Sequence, residues 1–381
     1  MTRIYLDHAA TTPARPEVVA AMLPLLGGYN PSSLHAEGRA ARAALDDARE
    51  TVAALLGAAP REIVFTGGGS ESDVLAIAGA ARARADRGRH IVTTAIEHPA
   101  VLHAADVLER AGWRVTRLPV DPRGLVDPAT FAAALTPQTT LASVMLANNE
   151  IGVIQPVATL ASIARKRRVL FHTDAVQAGG WLALDVDALG VDLLSLSAHK
   201  LHGPKGVGVL YVRRGTPLEP LIVGGSQEHA LRAGTENVAG IAGCATALAL
   251  AQRERAETAP RIAALRDRLQ AGILAAIPDV IVNGDGAPRL PGLLSLAFGG
   301  VASDALLMRL DLAGIAASAG SACAAGSLEP SHVSAALGLD EAHRLGVIRF
   351  SLGRATAAVD VDEVLKRLPA LIAGVRTPVS V

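Results

Sequence analysis

Lysine is scarce in this chain. Arginine fills almost every basic position among the 36 cationic side chains, leaving lysine only at Lys166, Lys200, Lys205 and Lys366. Cysteine is scarcer still. The two present, Cys244 and Cys323, exclude a disulfide framework and offer no metal-ligand spacing. A reducing, cytoplasmic location is the expectation that follows. Aromatic residues make up 3% of a chain that is 50% hydrophobic, which predicts an aliphatic core of closely packed helices. Net charge is zero, and this argues against nucleic acid or an anionic membrane as the main partner. No apolar run reaches membrane-spanning length, and residues 1–8 lack an apolar signal region.

What is present is a long alternation of strand and helix patterns. At 381 residues the chain exceeds one small core, and one large domain with a smaller one is expected. After an irregular start with a short helix over 16–26, an amphipathic helix is predicted over 36–56, ended by Gly57. Apolar strand-like runs follow at 62–66, 91–94, 114–118, 140–147, 169–173, 193–197 and 206–212. Helical periods fill gaps at 72–86, 100–111 and 157–166. Strands apolar on both faces and separated by helices read as a mostly parallel sheet covered on both sides, an α/β fold. The last two runs lie too close for a helical crossover, so an antiparallel step is expected there. A small-residue helix is predicted over 235–254. After Pro260 the pattern changes to a helix, short strands at 280–282, 294–298 and 348–351 and a final helix at 361–373, an α+β arrangement.

Several motifs fall at strand ends. Lys200 stands in Ser197-Ala198-His199-Lys200, just after an apolar run. Arginine cannot shed a proton to act as an amine, so a lysine here in an arginine-rich chain points to amine chemistry. A Schiff base with an aldehyde such as pyridoxal phosphate needs that amine, although a lone lysine is usually a surface charge. Gly67-Gly68-Gly69-Ser70 lets the backbone turn and aim N–H groups at an anion, with Ser70 as a good helix cap. An ordinary glycine-rich turn reads the same way. Asp174, ending 169–173, could hold a protonated ring nitrogen or merely cap the next helix. His98 could stack on a ring and relay protons, or simply precede Pro99 at a helix entry. Cys244 fits a buried, inert thiol, whereas Cys323 lies in a Gly/Ser/Ala run that suits an accessible one. Arg349 shares a strand face with Ser351 and could grip a carboxylate or form a structural ion pair.

Together these residues resemble the cysteine desulfurases of the NifS/IscS type, within the class V aminotransferase family. The matching stretches run in family order along nearly the whole chain: 5–12, 30–39, 67–71, Glu97-His98, 148–152, 172–177, 197–206, 232–237, 321–323 with 327–332, and 348–353. The resemblance implies PLP fold type I. Its large domain (15–257) would hold a mainly parallel seven-stranded sheet, and its small α+β domain would combine 1–14 with 258–381. It implies pyridoxal phosphate on Lys200, with Asp174 at the ring nitrogen, Gln177 at the ring hydroxyl and His98 stacked on the ring. Gly69, Ser70, Ser197 and His199 would hold the phosphate, joined by Thr235 of the partner subunit in a homodimer. Asn149 and Arg349 would hold the carboxylate of L-cysteine. Cys323 would receive the sulfur and pass it to an acceptor protein, such as an iron–sulfur scaffold or sulfur carrier. No resident metal is implied, with Cys323 at most a passing ligand to an iron–sulfur unit. A selenocysteine lyase or an aminotransferase of the same family is the alternative. Three departures stand out. Ala198 replaces a usual Gly. Asp73 replaces a frequent Asn and is expected near the phosphate end. The chain ends at Val381, without the extended tail that housekeeping members use toward their scaffold.

Overall fold

The structure, a computed structural model, describes residues 3–320 and 331–376. Twelve strands occur among them, in chain order β1 (Ile4–Tyr5), β2 (Ile63–Thr66), β3 (His90–Thr94), β4 (Arg114–Leu118), β5 (Thr139–Ser143), β6 (Leu170–Asp174), β7 (Leu193–Ser197), β8 (Gly208–Val212), β9 (Val280–Val282), β10 (Leu293–Phe298), β11 (Ile315–Ala316) and β12 (Val347–Ser351). Seven of them build the main sheet, in the order β2-β8-β7-β6-β5-β3-β4. Neighbours are parallel from β7 through to β4. Only β8 runs against its neighbours, β7 and β2. That reversal is the antiparallel step expected from the short spacing, and it leaves β2 pointing the same way as β7.

The central strands are buried on both faces, as their unbroken apolar character dictates. One face packs Leu45, Val52, Phe171, Leu194 and Val209 into a common core, and the other packs Ile77, Val101, Leu141 and Leu210. The edge strand β4 exposes Arg114 and Arg117, charges that discourage a further strand from pairing. The helix Ala36–Leu56 has the bounds its periodicity predicts, and Gly57 ends it in the left-handed conformation at φ 68°.

The long helix departs from the sequence reading. It runs unbroken from Val238 to Ala276 with Pro260 inside it. Pro260 is on the exposed side, where the missing hydrogen bond and the ring fall toward water rather than into the core. Beyond it, β12, β10 and β9 form an antiparallel sheet in that order. Its core gathers Ile262, Leu294, Phe350 and Val361 with Ile4 and Leu6 from the chain start.

That start is a strap. β1 pairs with β11 in parallel, the amide of Ser351 donates to the Leu6 carbonyl, and the amide of Thr12 donates to the His199 carbonyl at 3.0 Å. Residues 4–12 thus connect the second core to the end of β7.

Candidate active site

In a parallel sheet every strand delivers its carboxyl end to the same edge, and ligand sites form outside that edge. Here a cavity of about 220 Å³ opens there. It is lined by Gly69, Ser70 and Asp73 after β2, His98 after β3, Asn149 after β5, Asp174 at the end of β6 with Val176 and Gln177 beyond it, and Ser197 at the end of β7 with His199 and Lys200 beyond it. Ala9, Ala10 and Arg349 close it from the strap and from β12. Ten of the residues proposed from sequence therefore share one space.

Lys200 stands in the tight turn that ends β7, because the chain must reverse at once into β8. Its Nζ donates to the carbonyls of Ala9 and Ala10 at 2.5 and 2.6 Å. Gln177 Nε2 donates to the same Ala9 carbonyl at 2.9 Å. Ala198 does not occupy a left-handed backbone position, so the methyl that replaces glycine costs nothing in conformation here.

Asp174 is the last residue of β6 and is buried. Its Oδ1 accepts the amide of Val176 at 2.8 Å. Burial pushes its carboxyl up, opposed by His98, the Val176 amide and Lys200. His98 both caps the helix Pro99–Arg110 and lines the cavity. Its Nδ1 accepts the amide of Ala100 at 3.1 Å, which leaves the proton on Nε2. The helix-entry reading of this histidine is met, and the same residue faces the cavity. Burial lowers its pKa.

Asp73 is placed differently from expectation. It sits with Asp174 rather than at the phosphate end: its Oδ1 is 3.7 Å from His172 Nε2 and has no hydrogen-bond partner. Burial, then the Asp174 charge, pushes its carboxyl well up. His172 is clamped between the hydroxyls of Ser143 (2.8 Å) and Ser195 (2.9 Å), and burial pushes its pKa down to about 3. A neutral polar network therefore backs the Asp174 end of the cavity.

At the opposite end the glycine loop turns into a helix. The helix begins at Gly69, with Gly68 at φ 154° as the residue before it, so Ser70 lies in the first turn rather than capping it. A side chain at position 69 would bring its Cβ to 2.9 Å from Val176 Cγ2 and 3.2 Å from Ser197 Cβ. Only glycine allows the backbone this close to β7. Glu71 fixes the loop by accepting the Gly67 amide at 2.8 Å and Arg232 Nε at 2.9 Å. His199 Nδ1 is 3.1 Å from Thr11 Oγ1, and burial followed by Lys200 pushes its pKa down to about 4. Thr235 is exposed and does not line the cavity of its own chain.

Arg349 is buried in β12. Nη1 donates to the Asn149 carbonyl at 2.8 Å, Nη2 to Asp7 Oδ1 at 2.9 Å, and Nε has no partner. Cys323, with 321–330, lies outside the described residues. Two contributors were not singled out from sequence, the carbonyls of Ala9 and Ala10. Backbone acceptors leave no side-chain signal, and only the stretch 5–12 hinted at them. The arrangement can hold an anion at the glycine loop, a protonated ring nitrogen at Asp174 and a carboxylate at Arg349.

The sequence profile described as Aminotransferase class-V matches residues 4–364. The chain belongs to this family. This class-V member is 48% identical over 376 residues to "Cysteine desulfurase IscS" of Dictyoglomus turgidum, covering 98% of the chain and 95% of the relative. A solved structure titled "NIFS-LIKE PROTEIN" superposes with a TM-score of 0.92 at 37% identity, covering 98% of this chain and all of that one. Another, "SspA in complex with cysteine", gives a TM-score of 0.82 at 36% identity over 93% of this chain and all of that one. The class-V chain shares the PLP type I fold of these NifS-like neighbours.

Proposed function

We propose that the chain is a pyridoxal phosphate-dependent cysteine desulfurase, converting L-cysteine to L-alanine and leaving the sulfur as a persulfide on Cys323. One observation carries the reading: Lys200, Asp174 and His98 arrive from separate strand ends and line a single cavity with Arg349 of β12.

The residues present fit the cofactor. The cradle at Gly69 admits no Cβ, Asp174 is a buried carboxylate placed for a ring nitrogen, and Ser70, Ser197 and His199 supply donors for a phosphate. Gln177 would meet the ring hydroxyl and His98 the ring face. When bound, pyridoxal phosphate supplies an aldehyde for amine exchange and a ring that withdraws electrons from the substrate Cα.

The chain's own groups do the rest. Asn149 and Arg349 hold the substrate carboxylate, and the free Nε of Arg349 is a ready donor for it. Lys200 Nζ moves the Cα proton. His98 Nε2, on an imidazole whose pKa burial lowers, moves a proton to or from a thiol. The Cys323 thiolate forms a sulfur–sulfur bond to the substrate sulfur as the Cβ–S bond breaks. That electron pair stays with the alanine carbons and is protonated, so cysteine plus thiol balances alanine plus persulfide.

The same reading includes a homodimer, in which Thr235 of the partner subunit completes the phosphate site. The wide mouth of the glycine-loop cleft, lined by Gly67, Gly68 and Glu71, supports it. It also includes a sulfur-acceptor protein, a cytoplasmic location, and a division into domains 15–257 and 1–14 with 258–381. The core that gathers Ile262, Leu294, Phe350 and Val361 with Ile4 and Leu6, apart from the cores against the main sheet, supports that division. Among the described residues no helix is long and apolar enough to cross a membrane.

The test is a spectrum with a product assay. The purified protein should be yellow and make alanine from L-cysteine. Cys323→Ser should keep the colour and lose alanine release; undiminished turnover overturns the role of the thiol. Lys200→Ala should lose the visible band of the lysine-bound cofactor; a persisting band overturns the assignment of the lysine.

A further inference from the structure

Glu97 and His98 form one of the stretches on which the resemblance rests, yet the reaction as assigned gives Glu97 no task. Its side chain is buried and does not line the cavity. The ladder between β3 and β5 pairs residues as far as Val92 and Ala142. Beyond that point both segments run on toward the cavity, and side chains take over the connection. Glu97 Oε1 accepts the Thr94 hydroxyl at 2.7 Å and the Met145 amide at 3.0 Å. Asn148 Nδ2 donates to the Ile96 carbonyl at 2.7 Å, while its Oδ1 accepts the amides of Glu150 and Ile151 at 2.8 and 2.9 Å. Residues 94–97 are thus cross-linked twice to residues 145–148. His98 and Asn149, which do line the cavity, each follow directly on that joined frame.

The peptide between Glu97 and His98 is held from a third side. His332 Nε2, from the helix His332–Ala336, donates to the Glu97 carbonyl at 2.9 Å. The imidazole of His98 is itself tied through Nδ1, which accepts the Ala100 amide. A group that moves a proton works only from the right place, and a displacement of about 1 Å can cost such a step about a hundredfold. Both donors to Glu97 meet Oε1. Among the described residues its Oε2 is buried without a partner. Burial pushes the carboxyl up to about 8, opposed by the Met145 amide and the Thr94 hydroxyl and helped by the Asp174 charge. A neutral acid suits this place, because an ionised one would set an uncompensated charge in the core. What the frame uses is an acceptor oxygen, and glutamine has one too.

We propose that Glu97 is a positioning residue for His98: its Oε1 joins the ends of β3 and β5 and so fixes where the imidazole stands over the cavity. This rests on the desulfurase reading for the proton that His98 moves. Glu97 touches neither substrate nor cofactor in this assignment.

The experiment compares wild-type holoenzyme with Glu97→Ala, Glu97→Gln, Thr94→Val, His98→Ala and the Glu97→Ala/His98→Ala pair. Alanine formation from L-cysteine gives kcat and KM. Circular dichroism of the visible cofactor band reads how the ring sits among its protein neighbours, independently of turnover. Glu97→Ala should lower kcat by about tenfold or more, with KM within about twofold of wild type, and should alter the visible dichroism. Glu97→Gln should recover most of the rate and the wild-type dichroism. In the His98→Ala background, Glu97→Ala should cost no more than about twofold further. A wild-type kcat in Glu97→Ala overturns the proposal, as does a parallel loss of cofactor and cysteine binding. An undiminished second loss in the double variant also overturns it, because the effect of Glu97 would then bypass His98. If Glu97→Ala does not fold, Thr94→Val removes one of the two bonds at Oε1 and decides instead; an unchanged kcat there sinks the idea. A wild-type protein that forms no alanine defeats the desulfurase reading, and the dichroism of the Glu97 and Thr94 variants then decides on the frame.

Discussion

Arg49 and Arg349 are buried to a similar degree, at 6% and 1% exposure, yet they are satisfied differently. Arg49 makes a bidentate pair with Glu228 at 2.6 and 2.8 Å and also donates to the Ile63 carbonyl at 2.6 Å. Glu228 accepts the Phe65 amide at 2.8 Å, and the Phe65 ring lies 4.9 Å from the guanidinium. Among the described residues no buried polar atom of this pair is left without a partner, and the pair pins β2 to the helix Ala36–Leu56. Arg349 is instead split between the Asn149 carbonyl and one oxygen of Asp7, and its Nε is empty-handed. A buried donor without an acceptor is destabilising on its own. One closed pair serves the fold, and the other guanidinium keeps a donor open for the substrate carboxylate proposed above.

The largest effect that tests this contrast is on stability. Arg49→Ala leaves Glu228 buried without its counter-ion and should lower unfolding free energy by about 3–5 kcal/mol. Urea denaturation that shows a loss below about 1 kcal/mol would break the contrast. Next comes Arg349→Lys, which keeps the charge but loses the planar fork. It should cost about 10–100-fold in kcat/KM for L-cysteine, in line with one lost charged hydrogen bond, while thermal unfolding shifts little. Normal kinetics combined with a stability loss like that of Arg49→Ala would show the two arginines to be alike.

The smallest effect separates these ion pairs from the buried imidazoles. Burial pushes the pKa of His172 down to about 3 and those of His8 and His90 to about 4. Below pH 6.5 the unfolded chain takes up protons that these folded sites refuse. Stability is therefore full above pH 6.5 and falls as pH drops toward 4 and 3. His172→Gln should flatten that slope by at most one proton, about 1.4 kcal/mol per pH unit. An unchanged slope between pH 6 and 4 would remove His172 as a source.

Much of this was legible because the chemistry sits at strand ends, where motif and topology coincide. Lys200, Asp174 and His98 each end or follow an apolar run, and a parallel sheet sends such ends to one edge. The helix break at Pro260 misled because the cost of a proline depends on which side of the helix it faces, and sequence alone does not show that side. Asp73 misled for a similar reason. It is four residues along a helix from Gly69, and one helical turn carries it from the phosphate loop to the Asp174 end. Arg49 and Glu228 were invisible because their partnership spans 179 residues and carries no local pattern.

The strap at the chain start has a consequence for biosynthesis. Ala9 and Ala10 hold Lys200, yet the Ala9 amide is itself fixed by Ser351 Oγ at 2.9 Å, 342 positions away. Ala9 and Ala10 must wait for Ser351 before they can settle. A nascent chain can build much of its central sheet while still being translated, but the carbonyls that hold Lys200 are not fixed until β12 emerges.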